Sequence, residues 1–127
     1  MVNAALAGTY FAPHRHKDPG KLEIFTVLTS RVMVIIFDDD GEILDHAELA
    51  RDPTCPGAGE TLQVEIPAGT WHTLVVLSAE AVLYEVTDGY FDAKTHMRFA
   101  PWAPPETDAK RPGSMCGSCC AGAGVGP

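Results

Sequence analysis

The chain has 127 residues, of which 46% are hydrophobic and 20% charged, a composition typical of one globular domain with its own core. Its 17 acidic and 9 basic residues give a net charge of −8, which argues against nucleic acid or an anionic membrane as a main partner, because both bind basic surfaces. The longest apolar run, residues 32–37, is too short to span a bilayer, and the N-terminus lacks a cationic signal-peptide start, so we expect a cytoplasmic protein.

The sequence predicts a series of short β-strands. Runs rich in Val, Ile, Phe and Thr alternate with clusters of Gly, Pro and Asp, which favour turns. No segment has a long apolar period of 3.6 residues, although residues 45–50 have a helical alternative. Many short strands separated by such turns predict an all-β sandwich or small barrel. In chain order, the predicted strands are residues 22–29, 31–37, 42–49, 63–66, 73–77 and 81–87.

The C-terminal part of the chain differs from the rest in composition. Pro and Gly are dense from residue 101 onward, and large apolar side chains become too scarce to offset the entropy of ordering. We therefore predict a folded domain over residues 1–105 and a flexible tail over residues 106–127. The tail holds Cys116, Cys119 and Cys120, which we interpret as incidental thiols, with metal binding as the alternative, because further ligands and a βαβ frame are not evident.

A set of histidines predicts a metal site. His14 and His16 are two residues apart on an extended segment and therefore lie on one face. His72 follows the turn of residues 67–70 on a strand face that it shares with apolar residues, and Glu23 begins the first strand after the pair. A His-x-His pair alone is a ligand pair about as often as not. Three imidazoles with one carboxylate, however, suit Zn, Fe, Mn or Ni and leave coordination positions open for water or a substrate.

Two further residues are candidates for the wall of a binding pocket. Tyr10 lies on the same face as the histidine pair, with core packing as an equal alternative. Glu85 is a carboxylate within an apolar strand, so it requires a partner or a cavity unless it points outward from an edge strand. Because successive side chains of an extended segment point to opposite faces, we expect Arg15 to point away from the metal. We interpret residues 38–40 as a solvated turn, because the oxygen pattern of a calcium loop is absent.

The spacing of these residues resembles the first motif of the cupin superfamily, which runs from Gly through His-x-His and Glu to a second Gly. Gly8, His14, His16 and Glu23 match it. The gap of six residues between His16 and Glu23 is longer than the usual cupin gap, and Ser30 replaces the final glycine.

The second cupin motif, Pro-x-Gly-x-x-His, is matched by residues 67–72, with Val76 where an Asn often follows. The combined motifs resemble the WbuC-type cupin-fold metalloproteins over about residues 3–106. The segments that carry this resemblance are residues 8–16, 37–41, 65–73 and 99–104.

The resemblance implies an all-β cupin double-stranded β-helix, a jelly-roll barrel. It implies one divalent metal (Zn, Fe, Mn or Ni) held by His14, His16 and His72, with Glu23 as the fourth ligand or a general base. It also implies a small oxygenated ligand, a sugar derivative of surface-polysaccharide metabolism being one candidate. An enzyme is favoured over a non-catalytic metal- and ligand-binding module, and a metal-free structural cupin is the third alternative. Cupins often pair through sheet edges, so we expect a homodimer.

Overall fold

The computed structural model describes residues 1–51, 61–90, 92 and 97–106. Within these residues the chain forms eight β-strands and contains no helix long and apolar enough to cross a membrane. The helical alternative for residues 45–50 is wrong, because they lie within the fourth strand. The strands are β1 Val2–Leu6, β2 His14–Arg15, β3 Glu23–Phe37, β4 Ile43–Arg51, β5 Gln63–Ile66, β6 Trp71–Val76, β7 Glu80–Thr87 and β8 Arg98–Phe99.

The strand β3 is long enough to belong to two antiparallel sheets. Its first half pairs with β5 and β7, and β7 pairs with β1, which gives sheet A the order β5-β3-β7-β1. Its second half pairs with β4 and β6, and β2 and β8 extend that side, which gives sheet B the order β4-β3-β6-β2-β8. This curled pair of sheets confirms the predicted all-β jelly-roll fold.

Ser30 marks the point at which β3 passes from sheet A to sheet B. The sequence predicts two strands, residues 22–29 and 31–37, where the structure has a single strand of 15 residues. Ser30 has a φ of +70°, a left-handed conformation that costs a residue with a side chain about 1 kcal/mol. The cupin motif places glycine here, and glycine adopts this conformation without a steric penalty.

Two apolar clusters cover the two faces of sheet B. Successive residues of a strand point to opposite faces, so residues 32–35 of β3 are all buried, alternately toward sheet A and away from it. The first cluster fills the space between the sheets and includes Phe25, Val27, Val32, Val34, Leu49, Ile66 and Leu83. The second cluster lies on the outer face of sheet B and consists of Met33, Ile35, Phe37, Trp71, Val75 and Ala100, with Trp102 packed against it.

The last described residue, Glu106, contacts the folded domain. Its carboxylate accepts a hydrogen bond of 3.2 Å from the backbone N–H of Ala12, although the composition places residue 106 in the predicted tail. Residues 107–127 lie outside the described residues, so the flexible tail stays a prediction. The same holds for the interpretation of Cys116, Cys119 and Cys120.

Replacing Ser30 with glycine should stabilise the protein. We expect the free energy of unfolding of Ser30→Gly to rise by about 0.5–1 kcal/mol, because the relief of left-handed strain exceeds the added entropy of the unfolded chain. Urea denaturation of the two proteins measures this difference. The matched variant Ser30→Ala keeps the left-handed strain, so its free energy of unfolding should not rise. A Ser30→Gly variant that is less stable than the wild type would contradict the assignment of strain to Ser30.

Candidate metal centre

The pairing of β2 with β6 places two histidines side by side. His14 lies opposite His72 across the two strands, and their ring centroids are 4.4 Å apart. The turn that precedes β6 depends on Gly69, whose φ is +78°. The backbone N–H of Gly69 donates to the carbonyl oxygen of His16 at 2.9 Å, which holds His16 next to the start of β6. The ring of His16 lies 5.9 Å from the ring of His72.

Glu23 approaches the histidines from the other sheet. It is the first residue of β3, between Ile66 of β5 and Thr87 of β7, and it is only 1% exposed. Nε2 of His16 donates to its Oε2 atom at 2.9 Å, and Nε2 of His72 lies 2.8 Å from the same oxygen. The carboxylate is therefore enclosed by imidazoles at the junction of the two sheets.

The donor set fits a divalent metal ion. The ligand atoms of His14, His16, Glu23 and His72 lie within 4.8 Å of one another, and all four residues are buried. Imidazole nitrogens and a carboxylate oxygen at this spacing are the usual ligands of first-row divalent metals.

Backbone hydrogen bonds set the tautomers of two of these rings. Nδ1 of His14 donates to the carbonyl of Ala12 at 3.0 Å, and Nδ1 of His72 donates to the carbonyl of Thr70 at 2.9 Å. A carbonyl oxygen can only accept, so each neutral ring turns the Nε2 lone pair toward the cluster, as metal-binding histidines do. Nε2 of His72 is buried and has no hydrogen bond among the described residues, despite its short distance to Glu23. A cation coordinated by the two atoms would satisfy both.

The electrostatics of the cluster favour the metal-binding protonation states. Burial, and next the proximity of His72, lowers the pKa of His14 to about 4. Burial opposes ionisation of Glu23, but the hydrogen bond from His16 and the contact with His72 outweigh it and hold the pKa of Glu23 well below its usual range. At neutral pH, the cluster thus offers an unprotonated nitrogen and an ionised carboxylate.

A cavity of about 500 Å³ opens beside the cluster, a volume within the range of small-molecule sites. Among the described lining residues, those with polar side chains are Asn3, His14, Glu23 and Glu85. The rest of the wall is apolar and includes Ala5, Phe11, Phe25, Leu74, Leu83 and Phe99.

Glu85 is among the residues that line this cavity. It lies opposite Phe25 in the β3–β7 pairing, and its Oε2 accepts a hydrogen bond of 3.0 Å from Nδ2 of Asn3. Burial, followed by the hydrogen bond to Glu23 and the charge of Glu23, raises the pKa of Glu85 to about 8. Sequence analysis missed Asn3, because the short strand β1 has no pattern that distinguishes it from a loop.

The pocket candidate Tyr10 and the neighbouring Arg15 lie elsewhere. Tyr10 is not among the described residues that line the cavity, and its hydroxyl donates to the carbonyl of Pro104 at 2.8 Å. Arg15 points away from the cluster, as alternation predicts. Its guanidinium lies 4.1 Å from the centre of the Trp71 ring and 3.6 Å from the carboxylate of Asp39.

Solved structures support the fold assignment and define the class: a cupin-like jelly roll. The dTDP-4-dehydrorhamnose 3,5-epimerase of Elizabethkingia anophelis NUHP1 matches with a TM-score of 0.58 and 23% identity, covering 75% of this chain and 51% of its own. The capsular polysaccharide assembling protein CapF of Staphylococcus aureus matches with a TM-score of 0.60 and 22% identity, covering 77% of this chain and 26% of its own. The chain therefore spans about half the length of the epimerase and about a quarter of the length of CapF.

A third solved structure matches along the whole chain. NovW, a 4-keto-6-deoxy sugar epimerase of Streptomyces spheroides, has a TM-score of 0.61 and 15% identity, covering 100% of this chain and 68% of its own. The family described as "Domain of unknown function (DUF6016)" matches residues 1–49. A search of curated proteins found no match. At these identities the solved structures show that the fold is shared, and a shared fold does not by itself determine the chemistry of the site.

The pKa of Glu85 leads to a prediction about stability and pH in the metal-free protein. The folded-state pKa, about 8, lies above the unfolded value of 4.5, so this group stabilises the fold most below pH 4.5 and loses that contribution as the pH rises toward 8. Glu85→Gln mimics the protonated form. The free energy of unfolding of this variant should equal that of the wild type at pH 4.5 and exceed it by about 1 kcal/mol at pH 8. This figure is reduced because Glu85 is partly exposed to solvent.

Urea denaturation at the two pH values measures this effect in protein stripped of metal with a chelator. Glu42→Gln, in the exposed turn before β4, is the control and should give the same stability difference at both pH values. A stability difference between Glu85→Gln and the wild type that does not change with pH would contradict the raised pKa.

Proposed function

We propose that this protein is a metal-dependent cupin of the WbuC type that holds a small oxygenated molecule in the cavity beside the metal. His14, His16, His72 and Glu23 would bind one divalent ion, Zn, Fe, Mn or Ni. The observation that carries the proposal is the convergence of four buried ligand atoms from both sheets, including a His72 Nε2 atom that lacks a hydrogen bond among the described residues. A buried polar atom of this kind normally has a partner.

The residues around this centre can bind and orient a ligand. A divalent metal bound here supplies Lewis-acid polarisation or activation of a coordinated oxygen. The ionised Glu23 serves either as a fourth ligand or as a group that moves a proton. Glu85, fixed by Asn3 on the β7 side of the cavity, offers a second carboxyl group to the ligand, and the apolar walls exclude water from it.

We favour an enzyme over a non-catalytic binding module, because an open cavity containing carboxyl groups adjoins the candidate metal centre, whereas a structural metal site is closed. Two of the structural neighbours are epimerases of deoxysugars. This supports a small oxygenated substrate and keeps a sugar derivative of surface-polysaccharide metabolism as a candidate. The binding module stays the alternative.

The homodimer and the cytoplasmic location stay predictions. The outer face of sheet A is the surface on which we expect a second copy of the chain. Val2, Leu6, Tyr84 and Val86 are between 42% and 65% exposed there, and Val2 lies directly opposite Tyr84. Contiguous apolar surface of this kind commonly marks an interface.

Removal of one histidine ligand should abolish metal binding. We expect wild-type protein, purified without an affinity tag, to contain a stoichiometric divalent metal by elemental analysis. His72→Ala should weaken metal affinity by more than about 100-fold, because it removes a ligand itself rather than a supporting group. His46→Ala, an exposed histidine on β4, is the matched control and should retain the metal. Metal content that is low in the wild type and unchanged in His14→Ala and His72→Ala would refute the metal centre.

Replacing Glu23 by glutamine distinguishes an enzyme from a binding module. Wild-type protein is tested for turnover and for binding on a panel of free keto sugars, nucleotide sugars and small keto acids. An enzyme should turn over one of these compounds, and Glu23→Gln should lower its kcat by at least about 100-fold, since one positioned proton-transfer group contributes about 10²–10⁴. Retained metal in that variant would identify Glu23 as a base, and lost metal would identify it as a ligand. Saturable binding without turnover in the wild type would favour the module.

A further inference from the structure

The cavity wall consists of a small set of polar side chains and an apolar remainder. Asn3 donates to Glu85, and Glu85 lines the same cavity as Glu23 and His14, which belong to one donor cluster. The other described side chains of the wall are hydrocarbon or thioether, with aromatic rings from β3, β8 and the segment before β2. A ligand that fills the cavity therefore meets these few polar side chains and, over the rest of the described wall, hydrocarbon and thioether side chains.

The charged side chains of the described wall are acidic apart from the histidine, and the α-ammonium of the lining residue Met1 donates to the backbone carbonyl of Glu85 at 2.7 Å. Two carboxyl groups, Glu23 and Glu85, line the cavity, and the lining residues that the structure describes include no Lys or Arg. A nucleotide-linked sugar has a diphosphate with about two negative charges, for which proteins supply guanidinium or ammonium groups or aligned backbone N–H donors. In this chain, with a net charge of −8, such a group would lie next to carboxyl groups without a compensating Lys or Arg among the described lining residues.

Two arginines on the strands that carry His14 and Phe99 point to the other face of sheet B. Arg15 and Arg98 lie opposite each other in β2 and β8, one position along from His14 and Phe99, which line the cavity. Successive strand residues point to opposite faces, so both guanidinium groups are directed away from the cavity. The guanidinium of Arg15 packs on the ring of Trp71 instead.

We propose, on the basis of the proposed function, that the ligand is a small molecule with one metal-chelating oxygen end and an uncharged apolar body, and that it is not a nucleotide-linked sugar. The oxygen end lies against His14, Glu23 and Glu85. The body packs against Phe11, Leu74 and Phe99, among the apolar residues of the wall. This ligand class differs from the dTDP-4-keto-L-rhamnose that is bound by one structural neighbour, the epimerase RmlC of Legionella pneumophila Philadelphia 1.

Two hydroxamates that share a chelating group and differ in their apolar body test this ligand class. Benzohydroxamate has an aromatic ring where acetohydroxamate has a methyl group, so the ratio of their affinities for the zinc-loaded protein reports the apolar wall. We expect benzohydroxamate to bind at least about 10-fold more tightly by isothermal titration calorimetry, which is the effect of burying most of a ring. dTDP-glucose should bind more weakly than either hydroxamate.

Variants of the wall separate this effect from general hydrophobicity. Phe99→Ala removes the side chain of a wall residue that is 53% exposed and lies outside both apolar clusters, so the variant should fold. It should reduce the ratio of the benzohydroxamate affinity to the acetohydroxamate affinity at least about 3-fold. Leu44→Ala, on β4 and 65% exposed, lies outside the described cavity wall and should leave the ratio unchanged.

Elemental analysis of the same samples distinguishes failure of the proposed ligand class from failure of the proposed metal centre. Zinc-loaded protein that binds both hydroxamates equally, or that binds dTDP-glucose more tightly than benzohydroxamate, would overturn the ligand class and leave the metal centre intact. Protein that retains no zinc after loading would overturn the proposed function, and this ligand class with it.

Discussion

A single buried carboxylate sets the requirement that the rest of this structure has to meet. Glu23 is 1% exposed, and an ionised carboxylate removed from water costs several kcal/mol unless opposite charge or hydrogen bonds compensate it. His16 donates one hydrogen bond to it, while His72 presents a nitrogen at 2.8 Å without hydrogen-bond geometry. The compensation that the described side chains provide is therefore incomplete, and a cation coordinated by the same atoms would complete it.

The fold meets this requirement by using one strand in two sheets. Because β3 begins at Glu23 in sheet A and continues into sheet B, the carboxylate and the core of both sheets are fixed by the same strand. The left-handed residue Ser30 makes this continuity possible at a small cost in strain. Sheet B then contributes His14 and His72 from neighbouring strands, so three of the four ligand residues lie on paired strands, and His16, directly after β2, is held by the backbone hydrogen bond from Gly69. Sites built on rigid strands hold their geometry more closely than sites on loops.

The comparison with known folds illustrates how a fold and its chemistry separate. The three solved structures described above share the jelly roll at TM-scores of 0.58 to 0.61, yet none exceeds 23% identity with this chain. A jelly roll brings inward-facing side chains of distant strands together, and what they do depends on which side chains they are. Here they are three imidazoles and two carboxyl groups next to an apolar wall, and the proposed function rests on that combination.

Much of this protein was determined by patterns that are local in the sequence. Runs of β-branched and aromatic residues predicted the main strands, the turn at Gly69 predicted the approach to His72, and the two-residue spacing of His14 and His16 predicted a shared face. Each of these depends only on backbone geometry over a few residues. The position of Glu23 at the start of the first strand after the pair predicted a carboxylate ligand, and the resemblance of the spacing to cupins agreed with it.

The tertiary structure decided what depends on the pairing of distant strands. The sequence was compatible with Glu85 pointing inward or outward, and it contained no pattern that marked Asn3, which hydrogen-bonds Glu85 from 82 residues away. A shift of one residue in strand register exchanges the two faces of a strand. Only the burial of both complete sheets selects one register, and with it the side chains that share the cavity with the candidate metal ligands.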